Sequence, residues 1–297
     1  MRRVECDARL PAGAGCAKRP ILEGSNVSRS SAPIGVFDSG LGGLSVLRAL
    51  RAQMPDESFV YLADSAFCPY GEKDDLTIET RVHELVGELV ARDCKAAVIA
   101  CNTACAVALT SLRKRFRLPI VGLEPAVKPA VLRSKHRRVA VLATPRTARG
   151  DKLRELIELH AGPVVVETIP APGLVDLIET GHIQGREIRS LLSQLLEGPL
   201  ARGCDAVVLG CTHYPFLAGV IAEIVGPSVA ILSSGKPVAR QTERVLERDG
   251  LRGAHGGSGM CAYFTTGDAL AFSVVASQLL GADVRAETLA GSATLTV

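Results

Sequence analysis

The sequence predicts an α/β fold of two doubly wound lobes, related by an approximate twofold axis, with mainly parallel sheets and an active site in the cleft between them. Three observations predict it. Short β-branched runs alternate with longer amphipathic stretches, which is the signature of parallel βα units. Those runs fall into two series of four. The two series also align with one another, residue type over residue type.

The elements follow in chain order. Residues 1–31 are rich in Arg, Ala, Gly, Pro and Ser without helical or strand period, and are expected to form a disordered extension. Their arginines suit a transit peptide, but Glu5, Asp7 and Glu23 do not, and a start codon assigned too far upstream explains the segment equally well. From Pro33 the first series runs Ile34 to Phe37, Phe59 to Ala63, Ala96 to Ala100 and Pro119 to Leu123. The second runs Val139 to Ala143, Val164 to Thr168, Ala206 to Gly210 and Val229 to Leu232. Helical patterns span Leu76 to Arg92 and Arg186 to Ala201. After Gly235 come a further helix pattern, Val238 to Arg248, and a strand-like CAYFTT, Cys261 to Thr266, expected to return to the first lobe. The first lobe is therefore drawn as 32–122 plus 236–297 and the second as 123–235.

The repeat is clearest around the third strand of each series. ARDCKAAVIACNTA (Ala91 to Ala104) matches ARGCDAVVLGCTHY (Ala201 to Tyr214) in Ala, Arg, Cys, Ala, Val and Cys at one offset of 110 residues. The first strands align as well and set Ser39 over Thr144. Four strands in one order make coincidence within Ala/Val-rich segments the weaker explanation.

Composition narrows the function classes. Hydrophobic residues make up 47% of the chain, with a mean hydropathy of +0.23, so it can bury a core. No uncharged apolar stretch approaches the ~18–20 residues of a membrane span. A net charge of +3, with basic runs only at Arg113 to Arg117 and Arg133 to Arg138, reads as solvated helix ends, not a nucleic-acid footprint. Aromatics are 4% and Trp is absent, so no stacking platform for single strands is expected. Nine cysteines without regular spacing, no CxxC and scattered histidines argue against a disulfide scaffold or a structural zinc site, and for a reducing cytoplasm. No apolar leader pattern opens the chain.

In parallel α/β sheets ligands bind beyond the carboxyl ends of the strands. There the first lobe carries Asp38-Ser39-Gly40 and Cys101-Asn102-Thr103, and the second Thr144 with Thr147 and Cys211-Thr212-His213. If the lobes face each other, two thiols reach one cleft from opposite sides. That suits racemisation of an α-carbon, in which one base removes a proton from one face and its partner returns one to the other. A thiol with an ordinary pKa near ~8.5 needs only modest tuning to work at neutral pH. Asp38 and His213 are the natural tuners. A free Cys is more often core filler, and Cys68, Cys94, Cys204 and Cys261 are read that way, as is Cys105 at a helix start. Cys101 and Cys211 differ because both close a strand at the ligand-facing end. The turn after Asp38 lacks the P-loop and GxGxxG spacings. It reads as a tight strand-to-helix connection with Asp38 or Ser39 capping the helix, whose N-terminus would attract a carboxylate. In SAFCPYG, Tyr70 either covers the cleft or merely packs.

GVFDSGLGGLSV, CPYGEK, AVIACNTA and VVLGCTHYPFL resemble, in order, the signature segments of glutamate racemases; GLEPAVKPA, LATPRT and PGLVDLIETG are similar to members from Gram-negative bacteria. The resemblance covers Pro33 to about Leu246. It implies the two-lobed fold, cofactor-independent conversion of L-glutamate to D-glutamate by two cysteines, no pyridoxal phosphate or metal, a homodimer, and a role in peptidoglycan supply. It also implies substrate contacts at Asp38, Ser39, Pro69, Tyr70, Gly71, Asn102, Thr103, Thr144, Thr147 and Thr212, and a second-lobe acid, Glu179, as partner of His213. An exposed helix-end carboxylate is the plainer reading of Glu179.

Three departures stand out. Pro145 and Arg146 separate Thr144 from Thr147 where the family often has Thr-x-Gly-Thr, which is expected to reshape a substrate contact. Ser233-Ser234-Gly235 replaces the usual Asp-Ser/Thr-Gly. The N-terminal segment is longer than the family needs. Competing readings are an aspartate or hydantoin racemase of the same two-cysteine group, a two-lobed binding protein without chemistry, and a pyridoxal-phosphate racemase, against which no Lys stands at a strand end.

Overall fold

The computed structural model describes residues 29–253, 256–257 and 259–289, so the extension expected over 1–31 lies almost wholly outside them. The first sheet begins with β1 (Ile34–Asp38), α1 (Leu44–Gln53), β2 (Phe59–Ala63), α2 (Asp75–Ala91), β3 (Ala96–Ile99), α3 (Asn102–Arg115) and β4 (Ile120–Val121). A second sheet follows: α4 (Val127–Arg133), β5 (Arg138–Ala143), α5 (Pro145–Arg149), α6 (Asp151–His160), β6 (Val165–Pro170), α7 (Leu174–Glu179), α8 (Arg186–Ala201), β7 (Ala206–Leu209), α9 (Ala218–Val225) and β8 (Ala230–Ser233). Then α10 (Gly235–Arg248) packs on α1, and β9 (Cys261–Thr265), α11 (Ala269–Leu280) and β10 (Ala286–Thr288) return to the first sheet.

The strand orders are β10-β9-β2-β1-β3-β4 and β6-β5-β7-β8. Every pairing among the described residues is parallel. The quartet β2-β1-β3-β4 repeats as β6-β5-β7-β8, so the sequence repeat is also a topological one. Its backbone repeats too. Asp93, at φ 54°, and Gly203, at φ 84°, occupy the same place at a helix exit, and buried Cys94 and Cys204 follow them. The Cys204 thiol donates to the Ala206 carbonyl at 3.2 Å, which ties the turn to its own strand.

β1, β2, β3 and β7 are buried throughout, as near-continuous apolar runs covered by helices on both faces should be, whereas β6 and β8 are partly exposed edges. In each quartet the chain leaves the first strand toward one neighbour and later returns on the other side. That opens a crevice beyond β1 and β3 in one sheet and beyond β5 and β7 in the other. α10 starts at Gly235, three residues ahead of the expected Val238, because Ser234 already serves as its N-cap position. β4 pairs over two residues only. Gly122 ends it against α3, where an added Cβ would lie 2.5 Å from Leu109 Cδ2.

Candidate active site

Cys101 and Cys211 line one partly open cavity. The first lobe gives its wall Ser39, Cys101, Asn102 and Thr103, with Pro69, Tyr70 and Gly71 from the loop after β2. The second gives Thr144, Thr147, Cys211, Thr212 and His213. Val175 and Gly210 complete the wall and were not foreseen. For Gly210 a signal did exist, since it precedes Cys211 as Ala100 precedes Cys101; Val175 reads like any apolar helix residue.

Cys101 sits at the N-cap of α3, where its sulfur accepts from the Ala104 amide and lies within hydrogen-bonding reach of Ser39 Oγ, both at 3.5 Å. A helix N-terminus favours negative charge at that sulfur. The following residue, Asn102, is buried, and neither Nδ2 nor Oδ1 has a partner. Buried amides are rarely left so, and this one lines the cavity with a donor and an acceptor to offer. Across the cleft Thr144 Oγ1 donates to Thr147 Oγ1 at 3.0 Å, and Thr147 lies 3.4 Å from Thr103 Oγ1, a link between the lobes.

Behind the wall lies a second layer, built around the glycine turn. Asp38 is fully buried, behind the residues that line the cavity. Its Oδ2 accepts from the amides of Gly40 and Gly43 at 3.2 and 2.8 Å, while Oδ1 has no partner. Those bonds explain the turn: the carboxylate that ends β1 folds the chain back on itself to start α1. An added Cβ at Gly40 would lie 2.2 Å from Glu179 Oε1, and one at Gly42 2.3 Å from His213 Nδ1. The glycines are there because another lobe's side chains press on them.

Those side chains form a chain of contacts. Glu179 ends α7 and is not the exposed helix-end carboxylate of the plainer reading: its side chain is 18% exposed. Its Oε1 accepts from the Leu41 amide at 2.7 Å and meets His213 Nε2 at 2.5 Å. His213 Nδ1 in turn stands 3.5 Å from Cys211 Sγ. Cys68 lies beside the Glu179 carboxylate, and burial, with that group and the nearby Asp38 carboxylate, pushes its thiol well above the ordinary thiol range. Ligand atoms of Cys68, Glu179 and His213 lie within 4.8 Å of one another, a donor set able to hold a metal. The contact between Glu179 and His213 brings two of the three together. Cys105 is structural as expected: it donates to the Ile99 carbonyl at 3.2 Å and accepts from the Leu123 amide at 3.3 Å, joining β3 to β4.

Burial, with the nearby Asp38 carboxylate, pushes the Cys101 thiol well above the ordinary thiol range, against the help of Ser39 and the Ala104 amide. Burial likewise raises Asp38, opposed by His213. His213 goes the other way: burial would lower its pKa, but Cys211 and Glu179 outweigh burial and hold it well above 6.5. Glu179 answers in kind; burial raises it, but His213 brings it below 4.5.

The departures at Pro145 and Arg146 do not touch the cavity. Pro145 begins α5 and Thr144 caps it, leaving both threonine hydroxyls in place. Arg146 points away and donates to the Lys73 carbonyl at 2.7 Å, with an ion pair to Asp75. Ser233 is not in the cavity wall, and Ser234 donates to the Glu124 carbonyl at 2.6 Å.

Comparison with known proteins agrees with this geometry. Residues 42–242 match the Asp/Glu/Hydantoin racemase family. The chain is 48% identical over 221 residues to glutamate racemase of Pseudomonas paraeruginosa, covering 74% of this chain and 83% of that one. It is 50% identical over 242 residues to glutamate racemase of Deinococcus radiodurans, covering 81% and 83%. Escherichia coli glutamate racemase, solved in complex with L-glutamate and the activator UDP-MurNAc-Ala, superposes with a TM-score of 0.78 at 32% identity, over 87% of this chain and 98% of that one.

Proposed function

The chain belongs to the Asp/Glu/Hydantoin racemase family, and we propose that Cys101 and Cys211 racemise its substrate, glutamate, by passing protons across the α-carbon. The observation that carries this reading is that both thiols, held by equivalent strand ends of two lobes, line one cavity that also presents the hydroxyl and amide groups of Ser39, Asn102, Thr103, Thr144, Thr147 and Thr212. One sulfur, as thiolate, takes the α-hydrogen; the C–H pair stays on the carbon and spreads into the α-carboxylate. The opposite thiol then gives its proton to the other face, leaving thiol and thiolate exchanged.

The chain's own groups divide the work. Asn102, Thr103, Thr144 and Thr212 hold the carboxylates, with the helix N-terminus behind Cys101 and the amides around Ser39. His213, braced by Glu179, exchanges a proton with Cys211. Cys101 has no histidine; the substrate ammonium supplies the positive charge that offsets Asp38 and lets this sulfur ionise. Asp38 thus acts from behind the wall, through field and turn geometry.

The reaction supplies D-glutamate to cell-wall peptidoglycan, and the working form is a homodimer in the cytoplasm. No helix of the described residues is long and apolar enough to cross a membrane. The test is circular dichroism of purified protein given L-glutamate, L-aspartate or a hydantoin with no cofactor added. Signal decay with glutamate alone is expected. Decay only with another substrate would move the assignment within the family, and binding without decay would make the protein a ligand clamp.

A further inference from the structure

The loop that carries Pro69, Tyr70 and Gly71 is the part of the cavity wall with least secondary structure: two short turns between β2 and α2. Something must hold it, because Gly71 lies directly against the second lobe, where an added Cβ would come within 3.3 Å of Thr144 Cβ. The Tyr70 ring lines the cavity, but its hydroxyl turns away and donates to Asp64 Oδ2 at 2.6 Å. Asp64 is the residue just past β2, and no part of it is exposed.

Its four contacts leave it no freedom. Arg81 of α2 grips both oxygens, Nε to Oδ2 at 3.0 Å and Nη2 to Oδ1 at 2.7 Å. Thr266, just past β9, donates to Oδ1 at 2.8 Å and itself accepts from the Ala66 amide at 3.1 Å. The Arg81 guanidinium stacks over Phe67 at 4.2 Å, inside the same loop. A bidentate arginine fixes a carboxylate in orientation as well as position. The loop is therefore tied at Ala66, Phe67 and Tyr70 to one buried ion pair rooted in three elements.

We propose that Asp64 is a positioning residue for the reaction: by taking the Tyr70 hydroxyl it sets where the backbone of residues 69–71 meets the substrate. This rests on the cavity being the glutamate site. Asp64 touches no wall atom and acts only through Tyr70 and the loop. The two enantiomers are equal in free energy, so its loss must lower kcat/KM alike in both directions of racemisation.

Two measurements on Tyr70→Phe, Asp64→Asn and the double variant test this. In ligand-free protein, amide hydrogen exchange at residues 70–72 should quicken in both single variants while the strands keep their protection. In kinetics, KM should rise about tenfold in each direction with kcat changed less than about threefold, since binding geometry is lost and the sulfurs stay. The double variant should be no worse than Asp64→Asn, because both changes break one link. Faster exchange without a KM change would mean that the loop is held as proposed but the cavity is not the glutamate site. Unaltered exchange, additive losses or lowered thermal stability alone would overturn the positioning role. Tyr70→Phe, which leaves the Asp64–Arg81 pair intact, guards against a variant that simply fails to fold.

Discussion

A thiol at the end of a buried strand can be an inert filler or a proton carrier, and what separates the two is which groups surround it. Cys101→Ala and Cys211→Ala should each lower racemisation by at least ~10³-fold in both directions, since one face of the α-carbon loses its proton carrier. Cys94→Ala should leave turnover alone and cost about 1–2 kcal/mol in denaturant unfolding, the ordinary loss for a buried group. The His213–Glu179 pair predicts a pH signature. His213 is raised in the fold, so its contribution to stability is whole below ~6.5 and lost as pH rises through the folded value. Glu179 is lowered from 4.5, so its contribution is whole above that value and lost as pH falls through the folded one. Unfolding of Glu179→Gln at a series of pH values should show both slopes flattened; an unchanged profile would detach the pair from the stability of the site. The two cysteines were legible in the sequence because strand ends repeat with a fixed offset. Glu179 stood out only by family resemblance, since 34 residues separate it from His213. The upward push on Cys101 was not legible, because the burial that causes it comes from residues far apart in the chain, such as Phe37, Tyr70 and Ile120. Asp64 looked like any polar residue after a strand.

Elements set these side chains by contacts that strand and helix periodicity does not encode. β1 to β9 and the helices α2, α8 and α10 follow from hydrophobic pattern, with expected bounds within a few residues of those observed, whereas the short edge strand β10 was not foreseen. The glycine turn between β1 and α1 was read correctly as a tight connection, but what makes it glycine-rich is a neighbour from the other lobe. Gly42→Ala should therefore act like a displacement of His213: activity down about 10²-fold with secondary structure kept, measured by racemisation rate alongside far-ultraviolet dichroism. Wild-type turnover in that variant would show that the histidine yields without consequence. Ser45 Oγ of α1 donates to the Thr212 carbonyl at 2.7 Å, so the same helix also holds the segment after Cys211. One helix thus supports residues from both lobes.

At the scale of the molecule, two copies of one βα plan bring equivalent strand ends face to face, and chemistry that needs two opposed groups follows from that symmetry. A hydrophobic core shared by both lobes joins them, and around the cleft they also meet at Thr103 with Thr147, Gly71 with Thr144, and Arg146 with Lys73 and Asp75. Arg146 and Asp75 are partly exposed, so Arg146→Ala should cost no more than ~1 kcal/mol in unfolding. It should raise KM a few-fold by loosening the cleft, and 0.5 M salt, by screening that ion pair, should mimic part of the effect in the wild type. The most direct test of the central claim is racemisation of L-glutamate in deuterated water, stopped early, with the isotope at Cα read separately in each enantiomer. Two opposed sulfurs predict solvent deuterium in the D-glutamate formed and almost none in the L-glutamate recovered. Equal labelling of both enantiomers from the start would mean that one group serves both faces, and the account built on Cys101 and Cys211 would be wrong.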